Sequence, residues 1–242
     1  MLPAMCGRYV LPDRDDVEEI GPLPIPAACA GNLPHFNVAP TTPVPILRTA
    51  LGGHLEWVCA RWGLIPSWWR REKPPSMTFN ARSEEARSKP VWRDSLRARR
   101  GLMPARGWYE WNENELIRTP SGRPGHQPYF LFCPAAKVIV FAAMWSLWQP
   151  EEAEPVLSCA LLSTSAAPSI QRIHHRMPVV LRPEHQARWL DPTTPETEIQ
   201  DLIAQARDNL DSYPVSPRVN LVRHNFPDLI VPAAPLGSAL ES

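Results

Sequence analysis

VIVFAAMW, at residues 138–145, is the longest unbroken apolar run in the 242-residue chain. Eight residues fall far short of the ~20 that a helix needs to span a bilayer. The run is rich in β-branched and aromatic residues and is bounded by Lys137 and Ser146, so it reads as a buried strand. Five further stretches have the same character: PVPILR (43–48), LEWVCARWGL (55–64), YFLF (129–132), CALLST (159–164) and MPVVL (177–181). Each is closed off by proline, glycine or a polar cluster. Helical signals lie outside this block. DRDDVEEI (13–20) opens with acids, which favour a helix N-terminus. NARSEEARSKPVWRDSL (80–96) reads as two helical pieces broken near Pro90. PEHQARWL (183–190) puts proline at a first helical position. Ile199, Leu202, Ile203, Ala206 and Leu210 recur at helical spacing. With strands in the middle, helices at the periphery and no repeat or Gly/Ser linker, the expected architecture is one α+β domain. Its sheet should be curved, barrel-like and mostly antiparallel, with peripheral helices.

Composition narrows the function classes. Thirty prolines against 11 glycines, scattered rather than periodic, fit many short strands and rigid loops. The leading MLPA lacks the charged and long apolar regions of a secretory signal, so a cytoplasmic address is expected. The five cysteines are an odd number without C-x-x-C or a histidine at metal spacing, so neither a disulfide framework nor a zinc site is suggested. His174 and His175 are adjacent, and neighbours on a strand would point to opposite faces. No metal and no cofactor is expected.

Formal net charge is zero, but residues 61–106 hold twelve Arg/Lys against four Asp/Glu, or +8, leaving −8 elsewhere. Trp62, Trp68, Trp69 and Trp92 lie in the same block. Cations interleaved with flat rings suit a groove for single-stranded nucleic acid. A solvated basic face with its tryptophans in the core fits the same counts.

Several polar residues sit inside otherwise apolar strings. Asn37 precedes a proline-rich turn into a strand in HFNVAPTTPVPILR, while Asn80 and Arg82 in MTFNARSEE fall at an expected helix start. Glu110 lies between Tyr109 and Trp111 after a Pro-x-x-Gly turn, and His174 and Arg176 precede a buried-looking strand. A carboxylate among aromatics is desolvated, which raises its pKa toward neutrality and suits it to proton exchange. A salt bridge for Glu110, a helix cap for Asn80 and a loop-tying role for His174 remain open on these residues alone. The last oddity is Cys6 in MLPAMCGRYV. Translation from Met5 followed by methionine removal would leave it as a free N-terminus.

In order along the chain, MCGRY, FNVAPTTPVPILR, RWGLIPSWW, NARSEE, RRGLMPARGWYEW, FAAMW and IHHRMPVVL closely resemble the SRAP (SOS response-associated peptidase) family of abasic-site processing proteins. The resemblance runs from Cys6 to about Ile230, where YPVSPRVNLV is similar to the family's closing strand. It implies a leader at 1–5, a SRAP domain at 6–232 and a tail at 233–242. It further implies a DNA-damage response protein that crosslinks to abasic sites in single-stranded DNA through an N-terminal Cys6. A lyase-type and self-processing peptidase activity goes with that role. Carried over by position, Cys6 matches the nucleophile, and Asn80, Glu110 and His174 match catalytic residues. Asn37 matches a second active-site asparagine. Arg8, Arg82 and Arg176 match DNA-gripping arginines, and Trp68 and Trp69 match base-stacking wedges. The expected partner is abasic single-stranded DNA, bound by a monomer that is nucleoid-associated when on DNA. An N-terminal-nucleophile cysteine peptidase or amidohydrolase acting in trans is the alternative.

Three departures stand out. His175 occupies a position where the family often has an acid. Arg106 stands where small or acidic residues are frequent and is expected to add phosphate affinity. The MLPAM leader denies Cys6 a free amine, and a start at Met5 is the favoured account.

Overall fold

The computed structural model describes residues 6–233, apart from residues 51, 72, 76–77, 120–121 and 152; the expected leader and the tail beyond 233 lie outside them. The strands are β1 (Tyr9–Leu11), β2 (His35–Val38), β3 (Pro43–Thr49), β4 (Leu55–Trp62), β5 (Asn80–Arg82), β6 (Arg100–Ala105), β7 (Gly107–Arg118), β8 (Pro124–Phe132), β9 (Ile139–Trp148), β10 (Val156–Ser165), β11 (Arg176–Pro178), β12 (Val180–Leu181) and β13 (Asp211–Pro214). The helices are α1 (Arg14–Ile20), α2 (Ala27–Ala30), α3 (Ser83–Ala86), α4 (Arg93–Ala98), α5 (Pro183–Leu190) and α6 (Glu196–Ala204).

In the larger sheet β10, β4, β3, β6 and β9 are neighbours in that order, and β9 pairs back onto β10. The five strands therefore close into a barrel. Among the described residues, only the pairings of β10 with β4 and with β5 are parallel in this sheet. A second sheet, β13-β8-β7-β1-β2, is antiparallel. The α+β architecture with a barrel-like, mostly antiparallel sheet is thus present.

Burial on both faces of β9 explains why its sequence shows no polar alternation. Phe141, Ala143 and Trp145 join a cluster with Tyr9, Trp62 and Trp108, where the second sheet packs on the barrel. Val140, Ala142 and Met144 join another with Trp92, Leu96, Trp189 and Ile199 from the helical layer. Buried Arg100 ties that layer down, donating to the carbonyls of Leu96, Arg97, Trp189 and Asp191.

The chain passes from barrel to second sheet through a single residue, Arg106, between β6 and β7. The expected Pro-x-x-Gly turn is this corner. Gly107 is required there, since a Cβ would sit 2.3 Å from the Leu131 carbonyl oxygen.

Most expected elements fall in place, with some differences. The helix read through Leu210 ends with α6 at Ala204, so Ala206 and Leu210 lie beyond it. The strand expected at 177–181 is split at Val179 into β11 and β12, which pair with different partners. Asn80–Arg82 is a short strand beside β10 rather than a helix start. The stretch expected as a closing strand gives β13 and a 3-10 turn at Pro217–Asn220. Cys29 and Cys59 form a disulfide with a Cα–Cα distance of 5.8 Å, joining α2 to β4. Spacing gave no sign of it because the two cysteines meet only when α2 docks on the barrel. Among the described residues, no helix is long and apolar enough to cross a membrane.

Candidate active site

Four separate segments converge on one buried point. Cys6 lies just before β1, whose Tyr9 pairs with Trp108 of β7, so the chain enters alongside the strand that carries Glu110. The backbone of Cys6 has φ 44°, a left-handed conformation uncommon for a residue with a Cβ. Its N–H donates to Glu110 Oε1 at 3.0 Å. Asn80 opens β5, held by its parallel pairing with Leu161, and its Nδ2 donates to the Cys6 carbonyl at 3.3 Å. His174 closes the loop after β10; its Nδ1 lies 3.9 Å from Glu110 Oε1 and accepts from Arg176 N–H at 3.1 Å. Cys6, Glu110 and His174 are all buried.

Burial sets the protonation states. It pushes the Glu110 carboxyl up to about 8, against the opposing effect of its hydrogen bonds from Cys6. It lowers the His174 imidazole below its ordinary value, with the backbone contact to Arg176 partly offsetting. At neutral pH the pair therefore holds a protonated carboxyl beside an unprotonated imidazole, an acid and a base. Burial, then the Glu110 carboxylate, raises the Cys6 thiol well above its ordinary value, so it needs a base to become a nucleophile.

The remaining matched residues divide. Arg176 Nη1 and Nη2 grip Glu84 at 2.7 and 2.8 Å, and Nη2 also donates to the Ser163 carbonyl. Glu84, at the start of α3, thus supplies the carboxylate that the residue after the histidine does not. His175 instead packs at a tilt against His174, ring centroids 4.6 Å apart, in a bend rather than on a strand. Arg82 is exposed and reaches Glu85 at 3.5 Å. Arg8 and Asn37 bond each other at 2.9 Å and the carbonyls of residues 219–224, so they brace that segment behind β1 and β2. Of the four tryptophans in the basic block, Trp62 and Trp92 belong to the core. Trp68 is 43 % exposed and Trp69 is half-buried. Arg106 does not offer itself to phosphate, because it is ion-paired to Asp13 and buried Asp16 at 2.8 and 3.2 Å.

Sequence reasoning missed a polar network at the edge of the site. Tyr129 lies directly across from Glu110 on β8. Its hydroxyl donates to the Glu115 carboxylate, 2.8 and 3.1 Å from the two oxygens. Asn112 Nδ2 donates to the same group at 2.8 Å. The register slips between Asn112 and Leu116, so NENE at 112–115 forms a bulge. That polar run inside a strand was the only available signal.

A closed barrel carrying a buried cysteine whose own nitrogen meets a protonated carboxyl defines a cysteine-centred site, built at the chain's entry into the fold. The chain belongs to the SOS response associated peptidase (SRAP) family, whose profile matches residues 5–222. It is 30% identical over 230 residues to "Abasic site processing protein YoqW" of Bacillus subtilis (strain 168), covering 93% of this chain and 99% of that protein. It is 29% identical over 231 residues to "Abasic site processing protein HMCES" of Gallus gallus, covering 82% of this chain and 66% of that one. An X-ray structure of a protein from Bacteroides thetaiotaomicron shares the fold, with a TM-score of 0.77 at 20% identity over 95% of this chain and 100% of the other.

Proposed function

We propose that this protein processes abasic sites in single-stranded DNA by forming a thiazolidine crosslink through Cys6 as its N-terminal residue. The observation that carries the reading is the 3.0 Å contact between the Cys6 nitrogen and Oε1 of buried Glu110, with His174 Nδ1 3.9 Å from the same oxygen. An abasic deoxyribose opens to an aldehyde. The α-amine of a terminal cysteine adds to that carbon, and loss of water leaves an imine. The thiol sulfur then bonds to the same carbon while its proton passes to nitrogen, closing a five-membered ring. Both nucleophiles belong to one residue, so ring closure gains from high effective concentration.

Protonated Glu110 suits the step in which the hydroxyl departs as water, and neutral His174 suits proton removal from the sugar or the thiol. Asn80 holds the Cys6 carbonyl in place. In a chain that still carries Met5, the same carboxyl would protonate the departing Cys6 nitrogen as the Met5–Cys6 bond is hydrolysed. One pocket would then serve self-processing and crosslinking. Exposed Arg82, with Trp68 and Trp69, provides a cation and rings for the strand, while buried Arg176, paired to Glu84, ties α3 to the strands beside the site. The protein acts as a monomer in the cytoplasm, associated with the nucleoid when on DNA, and needs no cofactor.

The test uses protein started at Met5 and a single-stranded oligonucleotide with one abasic site. A heat-stable shifted band is expected from wild type and none from Cys6→Ala. Equal yields from the two proteins would sink the reading.

A further inference from the structure

His175 takes no part in the crosslinking steps, yet it sits against a residue that does. Its ring packs on that of His174, with centroids 4.6 Å apart and planes tilted by 34°. One ring is buried and the other exposed. The backbone on both sides is pinned. Ala166 N–H donates to the His175 carbonyl at 3.0 Å, and Arg176 N–H donates to His174 Nδ1 at 3.1 Å. His175 is therefore held against His174 from the solvent side.

Other charges reach His174 from the elements packed around it. On β7, Glu110 Oε1 lies 3.9 Å from its Nδ1. Burial is the largest cause of the lowered His174 value; His175 and Arg176 of β11 add to it, while the backbone contact to Arg176 and the charge of Glu113, on the β7 bulge, oppose it. Arg176 is itself gripped by Glu84. Arg172, on the same loop, lies instead over the Tyr129 ring, 5.4 Å from its centroid.

Two imidazoles in contact titrate as a pair. The exposed ring carries charge in water and the buried one must carry it without, so the first proton goes to His175 and the second meets a charged neighbour. At the 4.6 Å of this pair, two unit charges in water displace each other's titration by roughly 0.7 pH unit, and by more where water is excluded. An acid at position 175 would pull His174 the other way.

We propose that His175 is a positioning residue for the crosslinking reaction, which takes up a proton at the surface and thereby keeps His174 free to accept one from the substrate as pH falls. The inference rests on the abasic-site reading, in which neutral His174 is the base. It extends crosslinking into mildly acidic conditions, and it gives the residue that departs from the family's acid a role of its own.

The experiment follows the histidine ring signals by NMR from about pH 5 to 8.5, the range in which imidazoles change charge, in wild type, His175→Phe and His175→Asp. The rate of crosslinking at saturating abasic strand is measured over the same range. Phenylalanine keeps a ring against His174 and removes the charge. His174 should titrate roughly 0.7 unit higher in His175→Phe than in wild type, and higher again in His175→Asp. On the acid limb His175→Phe should crosslink about 5-fold more slowly than wild type at the same pH, and at the alkaline end the two rates should agree. The same His174 midpoint in all three proteins would overturn the proposal. So would a rate lowered equally at every pH, which is the mark of lost packing alone. If His175→Phe melts early, His175→Gln takes its place under the same criteria. If wild type fails to crosslink at all, the abasic-site reading fails by itself, and the NMR midpoints still decide whether His175 acts on His174.

Discussion

Replacing Glu110 by glutamine should stabilise the protein at neutral pH while abolishing its chemistry. The carboxyl is pushed up to about 8 by burial, against about 4.3 for an exposed glutamate. Between these values the folded chain holds a proton that the unfolded chain has released. Stability therefore falls as pH rises through that window, by about 1.4 kcal/mol per unit, and is flat below and above it. At pH 7 the accumulated loss is about 4 kcal/mol. Glutamine keeps an oxygen to accept the Cys6 N–H and does not ionise, so it escapes the loss. A chain of this size gains roughly 2–4 °C in melting temperature per kcal/mol. Glu110→Gln should thus melt on the order of 10 °C higher than wild type near pH 7.5, and at nearly the same temperature at pH 4.5. The assay is a melting curve at half-unit pH steps, run beside the abasic-strand crosslinking assay. Parallel pH profiles for the two proteins would refute the claim that Glu110 is held protonated. A variant that still crosslinks at the wild-type rate would refute its role as acid.

Other perturbations test the frame around the site. Gly107→Ala forces a Cβ to 2.3 Å from a backbone oxygen, so a loss of about 3 kcal/mol or more is expected, read as an early thermal melt. Arg176 holds the Glu84 carboxyl below its ordinary value. That stabilisation is present above the usual carboxylate range and lost as pH falls through it. Glu84 is half exposed, so Glu84→Gln should cost only ~1 kcal/mol at pH 7 and nothing in strong acid; a pH-independent cost would contradict the pairing. Tyr129→Phe removes the hydroxyl that donates to Glu115 and should cost about 1 kcal/mol in urea unfolding. An unchanged unfolding midpoint would show that this bond contributes nothing.

The legibility of the site varied by residue for physical reasons. Glu110 was visible because a carboxylate between two aromatics is costly in water-free surroundings and so demands a purpose. Cys6 was visible because it follows Met5, and a start there would give it a chemistry that an internal thiol lacks. Trp62 and Trp68 looked alike in the basic block, yet one is core and the other is surface. Nothing local distinguishes an indole that packs on Phe79 from one that faces solvent. Arg106 looked like a phosphate contact until α1 brought Asp13 and Asp16 to it.

The sequence by itself determined the strand-rich core, the helical periphery and the residues able to do the chemistry, because hydrophobic period and residue type are local properties of the chain. Tertiary structure alone decided the closure of β9 onto β10, the Cys29–Cys59 bond, the Glu84–Arg176 pair and the Tyr129–Glu115 network. The disulfide and the Glu84–Arg176 pair join segments far apart in the chain, while the β9–β10 pairing and the Tyr129–Glu115 contact depend on strand register within neighbouring strands. The pKa of Glu110 belongs to the second group as well. The glutamate is written in the sequence, but the burial that keeps it protonated exists only once two sheets have closed over it.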